Sequence, residues 1–238
     1  MRGQPGQALP LLRRAHDLRL RHLDVNHPET LTVVNDIAAV RRSLDEFEQA
    51  LELDEDTLRR RREVLGEDHP DTLTSANNLA WDLMGVGDRE RARALNLDTF
   101  QRRRRVLGDD HPRTLGSAHN VAADLAEAGD HHRALLTYRD VVRRRRALLG
   151  EDHPHTLLST ANLAGVLHTI GEHEQAQELN RDTFRRRRRV LGDTHPATLS
   201  SAEDLVADLR ALGRNLEAQD LDQWIVVHLR EMDGALGR

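Results

Sequence analysis

Apolar and polar positions repeat along this chain every 42 residues, and inside each period the apolar positions recur at helical spacing. In the clearest copy, the first apolar stripe consists of Leu73, Ala76, Leu79, Ala80 and Leu83. A second stripe begins at Ala92 and ends before Gly108. Spacing of three and four residues predicts amphipathic helices, and the glycines after each stripe are typical helix stops. Each period therefore predicts an A helix followed by a B helix.

The pair His-Pro marks the start of each A helix and returns without insertion or deletion. It stands at His27-Pro28, His69-Pro70, His111-Pro112, His153-Pro154 and His195-Pro196. The predicted helix pairs are 28–43 with 46–65, 70–85 with 88–107, 112–127 with 130–149, 154–169 with 172–191, and 196–211 with 214–233. With a lone helix at about 6–23, eleven helices and no strand are expected. A fixed period of this size indicates a solenoid, in which each repeat buries its apolar face against its neighbours.

The domain organisation that follows is one array over residues 1–238. Its repeats are 24–65, 66–107, 108–149, 150–191 and 192–233, with a partial repeat at 1–23 and a tail at 234–238. Ala8 lies one period before Ala50, so the first helix corresponds to a B helix without its A helix. Either the chain starts inside a longer array, which we favour, or this helix is an N-terminal cap.

Composition removes several classes of function. The chain has no Cys, which excludes disulfides, thiolate zinc sites and cysteine nucleophiles. All 35 basic residues are Arg, and 40 acidic residues leave a net charge of −5, which disfavours a general nucleic-acid or membrane binder. No segment has the apolar character of a signal peptide or a membrane span, so the default compartment is the cytoplasm.

Three features of the repeat resemble one known family. They are Asn78-Leu79-Ala80, then Gly87-Asp88, then Ala92. This order resembles the tetratricopeptide repeat (TPR), and the period with its Leu-Gly-x-Asp-His-Pro linker resembles the kinesin-light-chain subtype. The resemblance implies an all-α, right-handed TPR-like solenoid of about eleven antiparallel helices, whose A helices line a groove that binds peptides. It extends to the C-terminal arrays of bacterial NB-ARC-type signalling ATPases, although a chain without Lys has no phosphate-binding loop.

The recurring histidines do not predict a metal site. Equivalent positions in a solenoid are at least a helix width apart, whereas zinc ligands all lie about 2 Å from one ion. We expect each His to close the start of its A helix, and the unmatched histidines, including His131, His132 and His173, to lie at the surface. No catalytic residue, metal ligand or cofactor is predicted.

Arginine runs occur in four B helices, at Arg59–Arg62, Arg102–Arg105, Arg143–Arg146 and Arg185–Arg189. Four consecutive helical residues turn through about 300°, so each run surrounds its helix instead of forming a patch. An Asp one turn earlier predicts ion pairs: Asp56 with Arg60, Asp98 with Arg102, Asp140 with Arg144, and Asp182 with Arg186. Arg61, Arg103, Arg145 and Arg187 are predicted to point to the buried side and to reach the linker acids Asp68, Asp110 and Asp152.

The candidate binding residues lie on the A helices, opposite the apolar stripe. They are Asp36, Thr74, Asn78, Trp81, Asn120, Asn162 and Asp204. The resemblance implies that the Asn column bonds an extended peptide backbone. Trp81, among small residues in its own column, would anchor a partner side chain. Two alternatives stay open: Trp81 packs over a neighbouring helix, and the amides bond between repeats.

The last B helix is more apolar than the others, with Trp224 and Val227 off the expected buried side. They suggest a C-terminal interface for self-association or for docking on an upstream domain. The predicted function is a scaffold, not an enzyme, that binds a peptide or partner protein. The alternatives are a regulatory segment of a larger NB-ARC-type ATPase and, less favoured, polyanion or RNA binding through the Arg runs.

Overall fold

The computed structural model describes the backbone of residues 5–236, and every regular element in that range is an α-helix. The helices are α1 (Pro5–His22), α2 (Pro28–Arg42), α3 (Phe47–Leu65), α4 (Pro70–Gly85), α5 (Arg89–Leu107), α6 (Pro112–Glu127), α7 (His131–Leu149), α8 (Pro154–Thr169), α9 (His173–Leu191), α10 (Pro196–Ala211) and α11 (Asn215–Leu236). The predicted helix pairs are confirmed, with ends shifted by one to three residues. The predicted tail is partly wrong, because α11 continues to Leu236, and residues 1–4 and 237–238 lie outside the described range.

The A helices start as the sequence predicts, because His caps the first turn and Pro occupies the first helical position. The His195 side chain accepts a hydrogen bond from the backbone N–H of Ala197 at 3.1 Å, and Pro196 follows at the first helical position. His27, His69, His111 and His153 cap their helices in the same way. Free N–H groups at a helix start need such acceptors, and Pro has no N–H to satisfy. The capping role predicted for the recurring histidines is confirmed.

The turn between the A and B helices requires a left-handed backbone conformation. Four of the five turns use a glycine, Gly87, Gly129, Gly171 or Gly213, with φ between +71° and +86°. In the first repeat the same position is Asp45, with φ of +60°. Asp is one of the few side chains that adopts this conformation at modest cost. The turn therefore keeps its geometry where the glycine of the pattern is missing.

Contacts divide the chain into two units, Met1–Ser117 and Ala118–Arg238. In the first unit, each of α1 to α4 packs on the next helix in the chain. Its core contains Leu58, Leu79, Leu83 and Ala92. In the second unit, each of α7 to α10 packs on the next helix, around Tyr138, Leu163, Leu167 and other buried residues. A single array over 1–238 stays a prediction.

Small residues allow the close helix packing that the sequence predicts. The alanines at the start of the B helices, Ala50, Ala92, Ala134, Ala176 and Ala218, are all buried. The A-helix column of Ala38, Ala80, Ala122, Ala164 and Val206 is buried as well. Side chains of this size let helix axes approach to about 8–10 Å. None of the described helices combines the length and the apolar character needed to cross a membrane.

The histidine cap leads to a direct test of the linker. Replacing His195 by Ala is expected to lower the free energy of unfolding by about 1 kcal/mol, because the first turn of α10 loses its acceptor. His195→Asn supplies another acceptor and should stay close to wild type. Urea unfolding followed by circular dichroism compares the two variants. Equal losses in both would show that the ring acts through packing and not as a cap.

Candidate functional site

The predicted binding residues of the first unit lie on the faces of α2 and α4 that are not packed in the core. Asp36 is exposed, and Thr74 and Asn78 are half-buried. The Thr74 hydroxyl donates to the carbonyl of Pro70 at 2.8 Å, inside its own helix. Trp81 is 59% exposed. Its indole is therefore available to a partner, which favours the anchor interpretation over packing on a neighbouring helix.

In the second unit, α6, α8 and α10 surround an open groove of about 460 Å³. Two of the predicted residues, Asn162 on α8 and Asp204 on α10, line it. Its other lining residues are Ala123, Ala126, His131, Tyr138, Leu158, Ala161, Gly165, Val166, Thr169, Arg187 and Ser200. The third predicted residue of this unit, Asn120, is half-buried on α6 and does not line the groove.

Gly165 keeps the groove open above α8. A Cβ atom built on Gly165 would meet no other atom within 4 Å, so the space beside this residue is free. Gly165 is two periods after Trp81 and occupies the same place in its repeat. Ala161, one turn earlier on α8, also lines the groove. The small side chains leave a cleft in the second unit at the position where the first unit presents an indole.

The side-chain amide of Asn162 is held in place by residues of α6 and α7. Its Nδ2 group donates to the hydroxyl of Tyr138 at 3.2 Å and lies 3.4 Å from Nε2 of His119. The His119 ring packs edge-on against Tyr138, with centroids 5.4 Å apart. Both contacts of Asn162 use the amide nitrogen, which leaves its Oδ1 as an acceptor toward the groove. Tyr138 and His119 thus fix the orientation of the amide.

The support under the groove is electrically neutral at physiological pH. Burial, together with the positive charges of Arg145 and His155, lowers the pKa of His119 to about 4. Burial also raises the pKa of Tyr138. The charged groups of the groove wall are Asp204 and the buried Arg187. His119 was expected at the surface with the other unmatched histidines, and that expectation is wrong for His119, which fills a gap beside Tyr138.

The buried arginine column has partners other than those predicted. Arg61, Arg103, Arg145 and Arg187 are all buried, as the helical wheel indicates. The hydrogen bonds of Arg61, Arg103 and Arg187 go to groups other than the linker acids: Arg187, for example, donates to the carbonyl of Ala197 at 2.9 Å and to the Ser201 hydroxyl at 2.6 Å. The linker acids are contacted by neighbouring arginines of the runs, such as Arg102 and Arg105 on Asp68. The helical periodicity therefore predicted correctly that these arginines are buried, but it did not predict which groups they contact.

The predicted ion pairs within the B helices are confirmed. Arg60, Arg102, Arg144 and Arg186 donate to Asp56, Asp98, Asp140 and Asp182 over 2.6–2.8 Å. Arg102 also contacts the linker acids Glu67 and Asp68. These cations are engaged by carboxylates of the same chain, which reduces their attraction for a polyanion.

The C-terminal interface residues divide into a packed and an exposed one. Trp224 is half-buried, with its ring 5.1 Å from that of Phe184 and 4.1 Å from that of His228. The prediction that Trp224 lies off the buried side is wrong, because Phe184 on α9 provides a surface for the indole. Val227 is 50% exposed. Val226 and Leu229 of the same helix are exposed as well.

Comparisons with known proteins agree with the repeat pattern. A model of the tetratricopeptide repeat matches residues 30–71, 72–113 and 114–155, and a second model of that repeat matches residues 156–226. A search of curated proteins found no match. One similar crystal structure contains the nearly identical TPR-like repeats of a protein described as a kinesin light chain from Podosopora anserina. It is 26% identical with a TM-score of 0.74, over 87% of this chain and 98% of that one.

Two further solved structures are similar in fold. BtubC (BKLC) from P. vanneervenii has a TM-score of 0.80 at 16% identity, over 97% of this chain and 92% of that one. NprR in complex with its cognate peptide NprX has a TM-score of 0.66 at 14% identity, over 94% of this chain and 63% of that one. At these identities the similarity concerns the fold alone. The fold is that of an all-α, TPR-like solenoid.

Proposed function

Because the chain belongs to the tetratricopeptide repeat family, we propose that it binds a peptide, or an extended segment of a partner protein, in the groove between α6, α8 and α10. The observation that carries the proposal is an oriented amide, Asn162, beside the open space above Gly165. An extended peptide needs acceptors for its backbone N–H groups and room for its side chains. The groove offers both within one turn of α8.

The contacts can be divided by chemistry. Oδ1 of Asn162 accepts a backbone N–H of the peptide, and a partner side chain enters the cleft over Gly165 and Ala161. Asp204, across the groove on α10, favours a basic or N–H-rich segment. We extend the proposal to Asp36, Thr74, Asn78 and Trp81 in the first unit and to Asn120 in the second, as further contacts on the A helices. NprR, which has a similar fold, was crystallised with a peptide, which is support by analogy.

A groove-filling variant tests this proposal. Gly165→Trp copies Trp81 and places an indole in the cleft, at a position where an added Cβ atom would meet no other atom within 4 Å. Replacing a helix-interior glycine also removes its unfavourable helix propensity, of about 0.5 kcal/mol relative to Trp. Peptides selected from a random display library on the wild-type chain are expected to lose most of their affinity for Gly165→Trp. Asn162→Ala should weaken them by about three- to tenfold, the value of one net hydrogen bond.

The matched control is Ala147→Trp, which adds the same indole at an exposed position on α7 outside the groove. Affinities are measured by fluorescence anisotropy with labelled peptides, after circular dichroism has established that all variants are folded. Selected peptides that bind wild type and Gly165→Trp equally would contradict the groove as the binding site.

Of the alternative functions, polyanion binding is disfavoured by the contacts of the Arg runs, and the others stay predictions. Polyanion binding is disfavoured because carboxylates of the same chain engage the Arg runs, as Asp56 and Asp182 do for Arg60 and Arg186. Affinity for RNA that fell steeply with salt would support it instead. A regulatory role within an NB-ARC-type ATPase, docking or self-association through Trp224 and Val227, and a cytoplasmic location stay predictions. The absence of catalysis also stays a prediction, because a fold by itself does not determine whether a protein is an enzyme.

A further inference from the structure

Buried carboxylates recur at one position of the A helices. Asp82 on α4 and Asp208 on α10 are three periods apart, and both side chains are 0% exposed. A buried carboxylate needs a cation or several donors to offset its lost hydration. In the first unit, Arg42 supplies the cation, with its Nε 2.6 Å from Oδ1 of Asp82. The residue three periods after Arg42 is His168.

A second histidine, His173, lies beside His168, whereas the corresponding residue of the first unit cannot ligate a metal ion. Nδ1 of His168 is 2.7 Å from Oδ1 of Asp208, and the rings of His168 and His173 have centroids 4.8 Å apart. One ligand atom from each of His168, His173 and Asp208 lies within 4.8 Å of the other two. The residue of the first unit that corresponds to His173 is Phe47. Beside the same carboxylate, two imidazoles thus replace an arginine and a phenylalanine.

The surroundings hold the carboxylate in position and leave one imidazole nitrogen unused. Oδ2 of Asp208 accepts a hydrogen bond from Nδ2 of Asn180 at 2.7 Å, so Oδ1 is directed to the histidines. Nδ1 of His173 is buried and has no hydrogen-bond partner among the described residues. Such a nitrogen costs free energy unless something binds it. The side chain of His168 is 37% exposed, which leaves a path from solvent.

We propose that His168, His173 and Asp208 form a zinc site that joins the end of α8, the start of α9 and the last turn of α10. Zinc accepts imidazole and carboxylate ligands at about 2.0–2.2 Å, and small side-chain rotations bring the three atoms to these distances. Imidazole ligands favour Zn²⁺ over Mg²⁺ and Ca²⁺, which prefer oxygen. Three protein ligands leave a fourth position for water. The ion supplies the positive charge that Arg42 gives to Asp82.

This site differs from the one excluded by the repeat spacing. That argument concerned histidines in equivalent positions, which cap separate helices. His168 and His173 flank one A-to-B turn, and Asp208 comes from the next A helix. In the sequence, this site is visible only as two histidines, His168 and His173, at the repeat positions of Arg42 and Phe47. Their closeness to Asp208 depends on the packing of α10 on α8 and α9. The expectation that His173 is an ordinary surface residue does not fit its buried Nδ1.

The chain supplies the variants that test the site. His168→Arg copies Arg42 and keeps a cation on Asp208, and His173→Phe copies Phe47. Isothermal titration of the tag-free, chelator-treated full chain with ZnCl₂ is expected to give one strong site. Either substitution should weaken that site by about 100-fold or more, beyond the tenfold to hundredfold loss typical of a ligand's supporting residue. The wild type should also melt at a higher temperature with Zn²⁺, and the variants should not.

Cobalt provides a readout that is specific for ligand geometry. Co²⁺ in a tetrahedral site with nitrogen ligands should give the wild type a visible absorption band, which ZnCl₂ displaces and which both variants lack. The control is His132→Arg, which removes an exposed histidine of α7 and should bind as the wild type does. Binding that survives His168→Arg and His173→Phe, or a wild-type chain that gives no cobalt band, would overturn the proposal in favour of weak binding at surface histidines. Peptide affinity is not used as a readout, so the zinc site and the groove can fail independently.

Discussion

Replacing Arg61 by Met is expected to lower the free energy of unfolding by about 3 kcal/mol, a large share of the stability of a protein of ordinary size. Arg61 is 3% exposed. Its Nη1 donates to Oδ1 of Asn35 at 2.7 Å and to Oγ of Ser75 at 2.9 Å, and its Nη2 donates to Thr32 at 3.0 Å. The guanidinium thus connects α2 and α4 through α3. Methionine retains much of the side-chain volume and removes all of these donors.

The control is Arg59→Met on the same helix. Arg59 is exposed and contacts Asp56 and Glu63 at the surface, where such ion pairs contribute less than about 1 kcal/mol. Urea unfolding of the two variants isolates the value of burial, since the substitution and the helix are the same. Similar losses for Arg59→Met and Arg61→Met would mean that the buried hydrogen bonds contribute no more than the exposed ion pairs.

The regularity of the repeat explains why the helices were predictable. His and Pro fix one end of every A helix, as at His69 and Pro70, and a left-handed turn residue fixes the other. These signals are local, and five copies of each reinforce one another. Tertiary packing had little freedom to move the boundaries.

Contacts between repeats were harder to predict. The angular position of Arg61 is a local property, and the wheel gave it correctly. Its partners Asn35 and Ser75 depend on how far a long side chain extends between two other helices. The sequence likewise places His168, Asn180 and Asp208 at three separate positions of the repeat. Only the packing of three helices brings them together.

The binding groove was predictable in part. Asn162 and Asp204 follow from the face opposite the apolar stripe. Tyr138 and Arg187 were missed as groove residues because they belong to B helices and reach the groove from below. Trp224 was misplaced because its neighbour Phe184 is 40 positions earlier in the chain, on another helix. A residue's exposure depends on such neighbours as much as on its own helix.

A second large effect is expected from pH, through a pair of buried carboxylates in the first unit. Asp54 and Asp82 are both 0% exposed, and Arg42 contacts both of them. Burial, and next the hydrogen bond and charge of Asp82, raise the pKa of Asp54 to about 8. Between the ordinary Asp pKa near 4 and this value, the folded chain holds a proton that the unfolded chain has released. The free energy of unfolding therefore falls as pH rises through that window, by at most about 1.4 kcal/mol per unit.

Asp54→Asn should remove this dependence, because the amide needs no proton to remain beside Asp82. The chain already uses this solution: Asn180 occupies the same position three periods later and donates to Asp208 at 2.7 Å. At pH 8 the variant is expected to be more stable than wild type by as much as about 5 kcal/mol, the slope summed over the window, and below pH 4 the two should converge. The measurement is urea unfolding at a series of pH values at constant ionic strength.

The matched control is Asp56→Asn, a surface carboxylate on the same helix with a shift of opposite sign. Although burial opposes the shift, hydrogen bonds from Arg59 and Arg60 lower the pKa of Asp56. Its contribution is present above the ordinary Asp pKa and is lost as pH falls through the lowered value, so its removal should destabilise the chain slightly at neutral pH. A wild-type stability that did not fall between pH 5 and 8 would mean that Arg42 alone suffices to keep both buried carboxylates ionised. An equal fall in Asp54→Asn would assign the pH dependence to a group other than Asp54.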